Sequence, residues 1–240
     1  MDKITFDFKL NSNERKLFIM DLVNEIPDNP NYENALQISY KFEQVINKFD
    51  LNHLFSNSME SIYTIPEVFQ QFSQTFMDGI SVKLNNPGDS LFTLSNTKYF
   101  AFANIITRDL SRRWGKIWED IAVISPKVVS PEKTFGGYKI PGVDFLMLLH
   151  NKLYFCQMKT AKNTLTGSQA PRSRTELELF QNSAFISAFD IGSWHFNSSH
   201  TQRLAGEQFW KLIDINYFEI ETNFIKTLEN IENEFRDRFV

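Results

Sequence analysis

Pro141-Gly142-Val143-Asp144-Phe145-Leu146-Met147-Leu148-Leu149-His150-Asn151-Lys152-Leu153-Tyr154-Phe155-Cys156-Gln157-Met158-Lys159 is the stretch whose reading decides the fold. Two short apolar runs, Val143 to Leu149 and Leu153 to Met158, flank His150-Asn151-Lys152. Their length and bounding turn residues favour two strands joined as a hairpin. With Asn151-Lys152 as a two-residue loop, His150 faces Leu153, Leu146 faces Gln157 and Asp144 faces Lys159. Alternation along a strand puts Gln157 and Lys159 on one face, and directly opposed residues share a face. Asp144, Gln157 and Lys159 are therefore expected to converge at one end of the hairpin. A slip of one residue would send Asp144 to the other face.

A carboxylate or ammonium inside an apolar sheet requires a partner or a metal, because leaving it unpaired there costs several kcal/mol or more, roughly. Asp144 and the Gln157 amide offer hard oxygen donors, which suit Mg²⁺. A neighbouring ammonium, Lys159, can orient an attacking water and steady charge on a phosphate. That combination fits phosphodiester cleavage. The same trio also reads as a buried Asp–Lys ion pair beside an incidental glutamine, and the pattern alone is short and common.

Working outward, helices are expected at 12–25 (Leu17, Met20 and Val23 inward) and 33–49 (Ile38, Phe42, Val45 and Phe49 inward), with a break at Asp28 to Asn31. A third follows Ile65-Pro66, and Asn86 to Asp89 reads as a turn. A longer helix, from about Thr97 to Val123, repeats apolar residues at three and four from Phe100 through Trp114 to Ile121. Beyond the hairpin, Thr160 to Ser173 reads as a polar loop. A helix near Thr175 carries Leu177, Phe180 and Phe185, Ile191 to Phe196 forms a strand, and an amphipathic helix closes the chain through Ile220, Phe224, Leu228 and Ile231.

The chain has 240 residues, 42% of them hydrophobic, with 24 Phe, enough for a large core without covalent staples. Its single cysteine, Cys156, excludes an intrachain disulfide. With a charged start and no long apolar run, this points to a reducing cytoplasm and no membrane. Net charge is −4, yet residues 108–203 hold 13 Lys/Arg against 8 Asp/Glu, a basic segment on an acidic remainder. Four histidines and one cysteine give no zinc-finger spacing, and Gly115-Lys116 lacks the upstream glycine of a phosphate-binding loop, so no nucleotide cofactor is expected. Cys156, in mid-strand, reads as a small buried hydrophobe.

The hairpin resembles the PD-(D/E)xK nuclease core, in which an aspartate at one strand end precedes (D/E/Q)xK on the next strand. Three flanking stretches resemble type II restriction endonucleases, in family order. Arg112-Arg113-Trp114-Gly115-Lys116-Ile117-Trp118-Glu119 is similar to R-x-x-G-K-x-x-E, Thr160-Ala161-Lys162-Asn163-Thr164-Leu165-Thr166 to the polar stretch after the catalytic lysine, and Ala205-Gly206-Glu207-Gln208-Phe209-Trp210 to S-G-x-x-F-W. The resemblance spans residues 108–215. The chain departs from the pattern at Gln157, which stands where an acid is usual, and at Pro141, three residues before Asp144.

The resemblance implies an α/β fold, a mixed β-sheet flanked by helices with an α-β-β-β-α-β core, plus extra N-terminal helices. The expected division is a helical region, residues 1–95, packed on a nuclease core, residues 96–240. It implies a Mg²⁺-dependent site-specific endonuclease on double-stranded DNA, leaving 5′-phosphates and acting as a homodimer on a palindrome. Asp144, Gln157 and Glu119 would hold Mg²⁺, Lys159 would complete the catalytic set, and Lys162, Asn163, Thr164, Arg172 and Arg174 would contact DNA. A structure-specific repair or junction-resolving nuclease, or a binding protein with a decayed site, is compatible with the same core.

Overall fold

The computed structural model describes residues 3–24, 32–58, 63–85, 88, 91–95 and 97–239. The expected breaks at Asp28 to Asn31 and at Asn86 to Asp89 lie outside these residues, Gly88 excepted. In chain order, helices α1 (Ser12–Val23), α2 (Tyr32–Ile46), α3 (Leu51–Asn57), α4 (Ile65–Asn85), α5 (Leu91–Leu94) and α6 (Lys98–Ala122) come first. Strand β1 (Val128–Val129), α7 (Pro131–Thr134), β2 (Phe145–Leu149), β3 (Lys152–Lys159), α8 (Gln169–Leu177) and β4 (Ser183–Ser187) follow. The chain then runs through β5 (Gln202–Ala205), α9 (Gly206–Leu212) and α10 (Tyr217–Phe239). The fold is α/β: a five-stranded mixed sheet, ordered β1-β2-β3-β4-β5, with flanking helices. β1, β2 and β3 pair antiparallel, whereas β3, β4 and β5 run parallel. No helix among the described residues is long and apolar enough to cross a membrane.

The hairpin forms, with a different loop. His150 and Asn151 both take positive φ, 49° and 61°, and Leu149 pairs with Lys152. Positive φ at both central residues marks a type I′ loop, whose twist matches the flanking strands, and asparagine tolerates that conformation. The loop is therefore one residue earlier than Asn151-Lys152, and the register moves by two: Phe145 faces Cys156 and Leu146 faces Phe155. The ladder ends at Phe145, and the Asp144 N–H donates to Cys156 O, so Asp144 does not pair with Lys159 as expected.

Four other expectations are corrected. The polar segment after β3 turns helical at Gln169, within the stretch read as loop. Phe185 lies on the fully buried β4 rather than on a helix, and Ile191 to Phe196 is irregular; the last strand is Gln202–Ala205. Leu17 is exposed on α1, where Ile19 and Val23 turn inward.

The chain divides into two compact units, Met1–Ile62 with Ala122–Ile215, and Tyr63–Ile121 with Asn216–Val240. In the first, the sheet face bearing Leu146, Leu153 and Phe155 packs against aromatic residues of the N-terminal segments, including Phe6, Phe42 and Phe49. Phe155 stacks on Phe180 with centroids 4.0 Å apart. On the opposite sheet face, Phe145 meets Phe209 of α9 at 6.0 Å. Burying each large aromatic removes 150–250 Å² from water, roughly, which makes these rings the main cohesive contribution.

In the second unit, α4, α6 and α10 meet around Phe69, Phe72, Trp114, Trp118 and Phe224, with Trp114 4.4 Å from Phe72 and 4.9 Å from Phe224. Asp109 is buried there. Arg113 Nε donates to its carboxylate at 2.7 Å and Arg112 at 3.1 Å, and Lys83 donates to it as well. Burial pushes the Asp109 carboxyl up, but the Lys83 and Arg113 partners outweigh it and hold the group below its ordinary value.

Candidate active site

On β3, Leu153 and Phe155 belong to the aromatic core, and the next two residues on that face are Gln157 and Lys159. The face thus changes from apolar to polar at the C-terminal end of the strand. Gln157 pairs in register with Phe185 of β4. Asp144 precedes β2; its backbone N–H donates to Cys156 O at 2.8 Å, so the chain is already held in the ladder. Its Oδ2 accepts the backbone N–H of Met158 at 2.7 Å. The carboxylate is thereby fastened between residues 157 and 159.

Lys159 Nζ lies 4.0 Å from Asp144 Oδ2, and both side chains keep about a quarter of their surface exposed. That separation exceeds a direct hydrogen bond. The Gln157 side chain is 7% exposed, and its Oε1 is buried with no hydrogen-bond partner. An unsatisfied buried amide oxygen costs about 1–3 kcal/mol, so its retention calls for an explanation such as a ligand. Burial, and then the charge of Asp144, raise the Cys156 thiol well above its ordinary value, which removes it as a nucleophile.

A cavity of about 470 Å³ opens on this end of β3. Its wall includes Gln157 and Lys159, Gly142, Thr164, and Arg172 and Glu176 from α8. Gly142 has φ +71°, and a Cβ there would stand 2.5 Å from the Glu176 Cβ, so only glycine allows this close passage. Glu176, 3% exposed, is a functional candidate absent from the sequence reading. Arg172 Nε donates to its Oε1 at 2.8 Å, and the i, i+4 spacing of these two residues is the signal that would have found it.

The other expected residues fall in different places. Arg172 and Thr164 line the cavity, and Thr164 Oγ1 accepts the Ala161 N–H at 3.1 Å. Lys162 turns inward, ion-paired with Asp190 and 5.8 Å from the Trp194 ring. Asn163 packs against the backbone of Gly192. Arg174 is exposed and lies about 200° around α8 from Arg172, away from the cavity side. Glu119 belongs to the other compact unit, where Lys116 Nζ donates to its carboxylate at 3.1 Å.

Among the described residues no group of three or more His, Cys, Asp or Glu side chains is arranged to hold a metal ion. Asp144 carries a carboxylate and Gln157 an unpartnered amide oxygen, both hard oxygen donors. No family model, no curated protein and no solved structure matches this chain.

Proposed function

We propose that the chain is a Mg²⁺-dependent, site-specific DNA endonuclease of the PD-(D/E)xK type, acting on duplex DNA in the manner of a type II restriction enzyme. The observation that carries this reading is the buried, unpartnered Gln157 Oε1 in a cavity wall shared with Lys159, whose Nζ stands 4.0 Å from Asp144 Oδ2. Three antiparallel strands, β1 to β3 with the short α7 between the first two, followed by α8 and the parallel β4, support the reading.

Asp144 and Gln157 Oε1 are the residues that would hold the cation. The chemistry a bound Mg²⁺ supplies is polarisation of the phosphodiester and acidification of water at neutral pH. The chain's own part is preorganisation. The Met158 N–H fixes the Asp144 carboxylate, and burial fixes the Gln157 amide. Lys159 brings an ammonium beside the place where charge develops on the phosphate, and it orients water by donating hydrogen bonds. The Phe155 and Phe185 rings behind the trio exclude solvent from the sheet side. Cutting both strands of a symmetric site calls for two copies related by a two-fold axis.

Incubation of the chain with plasmid and with branched junction DNA in Mg²⁺ tests the reading. Discrete plasmid fragments with 5′-phosphate ends are expected. Cutting confined to junctions would indicate a structure-specific nuclease, and binding without cutting would indicate a decayed site.

A further inference from the structure

Three charged side chains line the cavity at the end of β3: Lys159, Arg172 and Glu176. Two are cations, and the one carboxylate is already engaged by Arg172. The cavity therefore presents a net positive wall, suited to an anion. Glu176 is 3% exposed and Arg172 is 65% exposed along its side chain, so the pair runs from the protein interior to its surface. The guanidinium also lies 5.2 Å from the ring centre of Tyr32 on α2. The Tyr32 hydroxyl is raised by burial and then by the Glu176 charge, which places phenol, guanidinium and carboxylate in one local group. A free arginine loses rotamer entropy on docking to a ligand, whereas one held at Nε and set against a ring has lost part of it beforehand.

We infer that Glu176 and Tyr32 are positioning residues that hold Arg172 at the cavity mouth as a receptor for a DNA backbone phosphate. This rests on the endonuclease reading for the identity of the polyanion. With Nε committed to Glu176 and Tyr32 also engaging the guanidinium, Arg172 shares the cavity wall with Lys159 and Gln157, and its other N–H groups would meet an oxyanion there. Planar N–H donors match phosphate oxygens, and the ion pair keeps the guanidinium plane fixed. Gly142 completes the arrangement, since any larger residue would collide with the Glu176 stem.

The test is binding of the full chain to a short DNA duplex in EDTA across a salt series, for Arg172→Ala, Glu176→Gln, the double variant and Tyr32→Leu. Tyr32 is 41% exposed, so its replacement keeps the test valid if Glu176→Gln fails to fold. Arg172→Ala and Glu176→Gln are each expected to weaken binding several-fold and to lower the salt slope by about one. The double variant is expected to bind no worse than Arg172→Ala alone, and Tyr32→Leu to shift in the same direction by less. Full additivity of the two losses, parental binding by Glu176→Gln, or loss of Mn²⁺ affinity in that variant with duplex binding intact would each overturn the assignment. A parent that binds duplex but never cuts refutes the endonuclease reading and leaves this one standing; a parent that does not bind duplex refutes both.

Discussion

The carboxylate of Asp144 and the backbone N–H of Met158 are joined at 2.7 Å, across the end of the β2–β3 hairpin. The bond makes Asp144 part of the sheet's hydrogen-bond network, with Lys159 Nζ 4.0 Å from the same carboxylate oxygen. In Asp144→Asn the side-chain oxygen still accepts the Met158 N–H. Expected is a folded protein with nearly unchanged thermal midpoint but a plasmid-cleavage rate lower by two orders of magnitude or more, roughly the scale of losing one preorganised group in a hydrolytic site. Circular dichroism and a cleavage time course measure both.

Gln157 separates stability from activity. Gln157→Leu removes a buried oxygen that has no partner and keeps the volume, so it is expected to stabilise the chain by about 1 kcal/mol while cleavage is lost. Gln157→Glu buries an extra charge beside Asp144, which destabilises the chain without a cation. Added Mg²⁺ is then expected to raise the unfolding temperature of Gln157→Glu more than that of the parent, which a calorimetric scan with and without EDTA would show.

The loop that sets the register has a prediction of its own. His150 and Asn151 hold φ of 49° and 61°, and an ordinary side chain in that region is disfavoured. Replacing the pair by Asn-Gly supplies the residues a type I′ loop prefers. The double substitution is expected to raise stability by roughly 0.5–1 kcal/mol, read from urea denaturation, with no change in cleavage.

Much of this site was legible in the sequence because strand period is two. Gln157 and Lys159 had to share a face, and both line the cavity at the end of β3; the error lay in the loop, which moved the register by two. The aromatic runs were legible as core, but not which partner each would find: Phe185 looked helical beside Leu177 and Phe180, yet it is buried on both sides of β4. Short strands such as Val128–Val129 carry too few residues to show a period. Glu176 escaped because acids in a polar helix usually face water; its i, i+4 spacing from Arg172 was the available signal, and its burial against Gly142 appears only in the structure. Lys162 illustrates the converse, a loop lysine expected on DNA that pairs with Asp190 instead.

Asp109 gives a pH dependence in the other compact unit. Its carboxyl is held below the ordinary 3.8, burial being outweighed by Lys83 and Arg113. A depressed folded-state value means the unfolded chain binds the proton more readily, so the stabilisation is fully present above 3.8 and is lost as pH falls through the lower folded value. Asp109→Asn is expected to lower stability at neutral pH and to flatten the acid limb of the stability–pH curve, measured by denaturation at a series of pH values. An unaltered acid limb would show that the Lys83–Asp109–Arg113 cluster contributes nothing net.

Cleavage of a supercoiled plasmid in Mg²⁺ by the parent, Asp144→Asn and Lys159→Ala tests the central claim most directly. The parent is expected to yield discrete linear fragments, and both variants to leave the plasmid uncut while remaining folded. Cleavage by both variants at the parental rate would contradict the assignment of the β2–β3 hairpin as the catalytic centre.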